Sequence, residues 1–337
     1  MKDHAVFNGE KFAVYDPRNI TDTTADLRYH DGEAQNESWF TVSNLTSNGD
    51  RIGVQVHALV TPMAVSLNFA VVNETRNLYR SFEFVHQISD VKISNSGFDI
   101  EVDGFHFGGT SERIFAKIEF PGAEINLEAR STALPLRYNC VGYTDFLGAA
   151  QYLFSYPRME TKGSITIEKM NFPIEGITWF DRQYGELPNP DAQQSGEKDR
   201  VPENRYSQVQ WIWFNPQLSN GVNISFGEIV LLAARKVTDF ATILYPDGTY
   251  VSAQTDLVER FDYWESPVTG NRYPTRFVLK VPHCGATLEI NVPFKEQEIV
   301  SKVGGVTKFE GMADITGVFD GEPITGLCYV ELVGNWK

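Results

Sequence analysis

Gly176-Ile177-Thr178-Trp179-Phe180-Asp181-Arg182-Gln183-Tyr184-Gly185 reads as one β-strand with a glycine at each end, and it carries an acid, a guanidinium, an amide and three aromatics. An ordinary core strand would hold Val and Ile at such positions, because burying an unpaired carboxylate or guanidinium costs several kcal/mol. Alternation with period two sets Trp179, Asp181 and Gln183 on one face and Phe180, Arg182 and Tyr184 on the other. One face then offers a carboxyl group beside an aromatic wall, suited to protonating or orienting an apolar molecule. The plainer reading is an edge strand whose Asp181 and Arg182 reach solvent or pair with each other.

Outward from this strand, almost everything reads as strand and turn. Residues 38–42, 52–60 and 67–72 are β-branched and aromatic runs, and Asn48-Gly49 marks a hairpin between the first two. Asp103-Gly104, Pro121-Gly122, Pro246-Asp247-Gly248 and Asp320-Gly321 repeat the turn signal at intervals that suit antiparallel sheets. Helical periodicity is scarce, so the class is all-β, built of sandwiches or barrels.

The 337 residues suffice for two ordinary domains. The least apolar segment, 187–206, reads as a polar loop between an N-terminal β domain, 1–186, and a C-terminal one, 207–337. Charged residues at 22% and apolar ones at 42% are globular values. Aromatics reach 13%, with 23 Phe and 14 Tyr, which favours strands and large apolar pockets. A net charge of -15 argues against nucleic acid and against anionic membrane, and leaves an apolar small molecule as the expected partner. No apolar run has the length of a transmembrane segment. With no leader at the start of the sequence as given, a cytoplasmic protein is expected, or a secreted or periplasmic one if a leader has been removed.

No GxSxG elbow and no phosphate-cradling glycine loop occurs. Cys140, Cys284 and Cys328 lack CxxC spacing and read as buried thiols, and the six His are dispersed, so neither a metal nor a cofactor is expected. What remains is a set of strands mixing aromatic and ionisable residues. Alternation groups Tyr156, Arg158 and Glu160 on one face and Trp211 with Trp213 on another; Tyr273 and Glu331 lie in two further aromatic strands.

Five motifs follow one another in order: Glu37-Ser38-Trp39 before a hairpin, residues 156–163, residues 176–185, Trp211-x-Trp213-Phe214 and residues 326–332. In this order they resemble the carotenoid hydratase (hydroxyneurosporene synthase) and AttH-like family, which includes kievitone hydratase and is distantly related to fungal decalin-forming Diels–Alderases. The resemblance runs from about Glu37 to the C-terminus. It implies two lipocalin-like antiparallel β-barrels packed side by side, with an apolar cavity, and addition of water to an alkene of an isoprenoid or prenylated substrate. The family's Trp-x-Asp-x-x-Trp/Tyr-Gly motif falls on Trp179, Asp181, Tyr184 and Gly185. Carotenoid hydratases tend to show His where Arg182 stands, and an acid where the next strand has Trp211 and Trp213.

Hydration of this kind needs a carboxylic acid that stays protonated near neutral pH and aromatic faces for the cation. The expected catalytic residues are Asp181, Arg182 and Tyr184, with Glu160 and Glu331 as further candidate acids. The expected pocket is lined by Trp39, His57, Tyr156, Arg158, Glu160, Trp179, Gln183, Trp211, Trp213, Tyr273 and Glu331. Two rival functions use the same pocket: an isomerase or cyclase that folds a polyene, and a carrier that binds without chemistry.

Overall fold

The computed structural model describes residues 6–8, 20, 22–146, 149–186, 209–232, 236–301 and 306–337; the expected polar loop, 187–206, lies outside them. Strands dominate, as the turn spacing predicts. They fall into two compact units. The N-terminal unit takes residues 18–135 and 151–187, and the C-terminal unit takes 1–17, 136–150 and 188–337, so the division departs from the expected one: 1–17 and 136–150 leave the N-terminal domain.

The N-terminal unit is one antiparallel sheet. Its longer strands are β1 (Asn36–Ser47), β2 (Asp50–Val60), β3 (Val65–Asn73), β4 (Leu78–His86), β5 (Phe98–Val102), β6 (Phe105–Gly109), β7 (Arg113–Phe120), β8 (Ala123–Ser131), β9 (Ala149–Ile167) and β10 (Met170–Gly185). They lie in the order β4-β3-β2-β1-β10-β9-β8-β7-β6-β5. Ser47 faces Asp50 across the first hairpin, leaving Asn48 (φ 49°) and Gly49 (φ 93°) as its two-residue turn. The sheet curls on itself through side chains: Trp39 of β1 stacks on Phe98 of β5 at 5.7 Å, and Phe84 of β4 meets Phe120 of β7 at 4.3 Å. Strands far apart in the ladder thus share one aromatic core.

The C-terminal unit repeats the plan with β11 (Val209–Phe214), β12 (Asn223–Leu231), β13 (Lys236–Leu244), β14 (Thr249–Ala253), β15 (Glu259–Glu265), β16 (Arg272–Val281), β17 (Ala286–Asn291), β18 (Lys308–Phe319) and β19 (Glu322–Gly334). Their order is β14-β13-β12-β11-β19-β18-β17-β16-β15. Phe214 of β11 meets Phe277 of β16 edge-on at 4.9 Å across the core. Each unit is a lipocalin-like antiparallel barrel. Each also sets an Arg–Glu pair against an indole: the buried Arg182 with Glu37 and Trp39, and the partly exposed Arg260 with Glu228 and Trp336. Among the described residues no helix is long and apolar enough to cross a membrane.

Candidate active site

Strand β10 separates its residues by face. Phe180 joins the barrel core, which puts Arg182 and Tyr184 inside and Trp179, Asp181 and Gln183 on the opposite face. Trp179 is fully buried, and its Nε1 donates to Asp181 Oδ1 at 2.6 Å. Ser155 Oγ, from the facing position of β9, donates to the same oxygen. Two donors on one oxygen suit an acceptor, so Asp181 is fixed in orientation by an indole and a hydroxyl. Gln183 Nε2 donates to Gln151 Oε1 at 2.7 Å. Phe40 of β1 stands directly opposite Asp181 and meets His57 edge-on at 5.3 Å, while His57 Nε2 lies 2.9 Å from Ser38 Oγ. The sequence-expected residues Trp179, Asp181, Gln183 and His57 therefore share one sheet face.

Arg182 and Tyr184 do not. The Arg182 guanidinium is wholly enclosed and donates to the backbone carbonyls of Asp26 (3.0 Å), Ser38 (3.3 Å), Gln183 (2.8 Å) and Arg28 (2.8 Å), and to the Glu37 carboxylate. It also lies over Trp39 at 4.1 Å. With its donors used this way, Arg182 ties residues 26–28 to the barrel and holds no N–H in reserve for a substrate. His30 stacks on Tyr184 at 4.1 Å. Burial, and then Asp26 nearby, pushes the Tyr184 phenol well above its ordinary range. Trp39 belongs to the same structural cluster: it is buried, and its Nε1 donates to Leu27 O at 2.9 Å.

The grouping of Tyr156, Arg158 and Glu160 is corrected by a register shift between Tyr156 and Met159, at Pro157. Proline cannot donate to the ladder, and the extra residue flips the alternation. Tyr156 and Met159 both enter the core, Arg158 is half-buried and Glu160 is exposed on the outer surface. Tyr156 donates to Thr23 O at 3.3 Å. Tyr273 is also a core residue: its hydroxyl donates to the buried Glu298 carboxylate at 2.9 Å, beside Ser266, Thr269 and Asn271.

In the C-terminal unit, Ile212 and Phe214 point into the core, and Trp211 and Trp213 take the other face of β11. Trp213 is buried, with Nε1 donating to Tyr138 Oη at 3.0 Å and Ser225 Oγ at 3.2 Å; Trp211 is half-buried. Glu331 of β19 lies directly opposite Trp213 on that face. Two residues that sequence reasoning missed join it. Glu310 of β18 stands directly opposite Glu331, and Lys308 bridges them, in ion-pair contact with Glu310 and 3.3 Å from Glu331 Oε1. Burial, opposed by Lys308 and reinforced by Glu331, pushes the Glu310 carboxyl well above the usual carboxylate range. Lys308, despite burial, is held above its ordinary value by the two carboxylates. The signal that could have found them is Lys308-x-Glu310, an ammonium and a carboxylate on alternate positions of one strand.

An apolar cavity of about 190 Å³ lies in the N-terminal barrel among Leu67, Phe69, Phe84, Phe105 and Phe120, and no sequence-expected site residue lines it. Among the described residues no three His, Cys, Asp or Glu side chains are grouped to hold a metal ion.

A family model described as AttH-like matches residues 15–335. The kievitone hydratase of Fusarium solani subsp. phaseoli is 23% identical over 349 residues, covering 97% of this chain and 92% of the hydratase. A provisionally assigned AttH from Nitrosomonas europaea superposes with a TM-score of 0.79 at 18% identity, over 96% of this chain and 100% of that one. Kievitone hydratase from Nectria haematococca gives 0.77 at 19%, over 98% and 97%. CghA gives 0.60 at 11%, over 99% and 98%. At these identities the solved structures speak for the fold.

Proposed function

Because the chain belongs to the AttH-like family over residues 15–335, we propose that it is a hydratase, adding water to a carbon–carbon double bond of an apolar isoprenoid or prenylated small molecule. The observation that carries this reading is the likeness to a kievitone hydratase along 97% of the chain. The chemistry supports it. Protonating an alkene requires a carboxyl group in a poorly solvated place and an aromatic surface for the tertiary cation. The chain has two carboxyl groups set against an indole: Asp181 with Trp179 in the N-terminal unit, and Glu331 opposite Trp213 in the C-terminal unit.

The test is turnover. Purified protein is incubated with prenylated phenols and acyclic isoprenoids in ¹⁸O-water, and a product heavier by one labelled water is expected. Asp181→Asn and Glu331→Gln follow; the variant that loses turnover with its melting curve unchanged identifies the donor. The resemblance to decalin-forming cyclases supports a second reading, an isomerase or cyclase acting on a polyene. A product of unchanged mass would favour it, and binding without any product would favour a carrier.

A further inference from the structure

Glu310 and Glu331 face each other directly across the β18–β19 ladder, a pairing that two carboxylates would disfavour by repulsion. One ammonium, Lys308, touches both. Two carboxyl groups and one cation in a place shielded from water balance their charges when one carboxyl keeps a proton. The three side chains also form a gradient of access. Glu310 is sealed at 0% exposure, Lys308 has 5% and Glu331 has 19%. Glu331 is therefore the member that can reach a ligand, and the sheet face it shares carries Trp213 directly opposite and Trp211 two residues away. A purely structural ion pair would need one carboxylate for its lysine. The second, directly opposed and more open, is what calls for a role.

We propose that Glu331, with Glu310 and Lys308 behind it, is the proton donor of the hydration, an assignment that rests on the hydratase reading. The proton that Glu310 and Glu331 share leaves through the Glu331 oxygen, its O–H bond breaking as the hydrogen binds the less substituted alkene carbon. This leaves a tertiary cation on the substrate and a carboxylate on the enzyme. Water adds to the cation through oxygen, and the proton it sheds returns to the Glu310–Glu331 pair. Nothing is oxidised or reduced, and the product is the substrate plus one water. Glu331 touches substrate and is the catalytic residue; Glu310 and Lys308 act through it as positioning residues. The charged groups that act on Glu310 are Lys308 and Glu331, and those that act on Lys308 are the two glutamates.

Two measurements test this. The first needs no substrate: infrared difference spectra of the intact protein at neutral pH should contain a protonated-carboxyl band that disappears in Glu310→Gln. Absence of that band from the wild type overturns the proposal. The second is kinetic. Glu331→Gln should lower kcat at least about a hundredfold, as loss of a general acid does, with KM and melting temperature little changed. The alkaline limb of the pH–kcat profile should move in opposite directions in the two supporting variants. It should fall in Glu310→Gln, which leaves Glu331 beside a cation alone, and rise in Lys308→Met, which removes the cation. A merely structural triad would lower the melting temperature without these opposed shifts. Folded Glu331→Gln with wild-type kcat overturns the assignment while ¹⁸O incorporation by the wild type leaves the hydratase reading standing. A wild type that incorporates no ¹⁸O but keeps the infrared band removes the hydratase reading and, with it, the donor role; the buried proton alone would then remain.

Discussion

At the scale of single residues, adjacent positions 181 and 182 perform unlike tasks because a strand turns successive side chains to opposite faces. Arg182 is a structural cation whose counter-ion, Glu37, is itself almost fully enclosed. Arg182→Met leaves that carboxylate buried without its cation, and a loss of about 3–5 kcal/mol in unfolding free energy is expected by urea denaturation. Arg182→Lys should recover little, because an ammonium cannot reproduce a planar fork spread over four carbonyls and a carboxylate. An equal stability of Arg182→Met and wild type would remove this account. Asp181 is different. It accepts from Trp179 and Ser155, and Asn at that position still offers an oxygen to both. Asp181→Asn is therefore expected to unfold within about 1 kcal/mol of the wild type, whereas Asp181→Leu, which strands a buried indole N–H, should cost about 1–3 kcal/mol. Both residues were visible in the sequence as out of place in a strand, yet their separate roles were not, because the partners of Arg182 other than the Gln183 carbonyl come from residues 26–38, over 140 positions away in the chain.

At the scale of elements, the short 3-10 segment Ala25–Leu27 and the residues after it are clamped to the barrel by a titratable cluster. His30 lies between Asp26 and Glu37, near Arg182. Burial lowers its imidazole pKa, but hydrogen bonds to Asp26 and Glu37 outweigh burial, and the net shift is upward from 6.5. Burial pushes the Glu37 carboxyl up, but His30 and Arg182 outweigh that, and the net shift is downward from 4.5. A raised histidine contributes stability that is fully present below pH 6.5 and is lost as pH rises through its folded value. A lowered carboxyl contributes stability that is present above pH 4.5 and is lost as pH falls through its folded value. The cluster thus favours the folded state most between these limits. Melting temperature against pH should decline on both sides of that window, and His30→Asn should remove the decline on the alkaline side. A His30→Asn curve that keeps the wild-type alkaline slope would place the effect elsewhere. Gly176, inside β10, is a second element-scale feature: at φ 157° a Cβ would overlap the Asn44 carbonyl of β1. Gly176→Ala should therefore cost more than the ~1 kcal/mol typical of a point change. The strand pattern anticipated β10 well and β9 poorly, since the bulge at Pro157 reverses which of Tyr156, Arg158 and Glu160 look inward.

At the scale of the whole chain, the all-β class was legible because turn residues recur on schedule, and the aromatic content announced cores large enough for barrels. The acid cluster was not legible. Lys308 and Glu310 look like the solvent side of an amphipathic strand, and only the register of β18 against β19 shows that Glu310 meets Glu331. The two tryptophans of β11 were paired by spacing, but their surroundings separate them. Trp213 is sealed and spends its N–H on Tyr138 and Ser225, so Trp213→Ala should act as a core deletion and lower the melting temperature, at a cost of about 3–5 kcal/mol. Trp211 is half-buried and is the indole with surface left to offer. A neutral isoprenoid or prenylated phenol is expected to quench tryptophan fluorescence, and Trp211→Ala should weaken its binding by about 1–3 kcal/mol, the worth of one buried aromatic face, with little change in melting. Net charge supplies the control. At -15 the protein repels anions, so a carboxylated analogue should bind better as salt screens the repulsion, while the neutral ligand should show an almost salt-independent Kd up to about 0.5 M. Trp211→Ala that melts like the wild type and binds the neutral ligand equally well would remove β11 from the binding surface and return the search to the Trp179–Asp181 face.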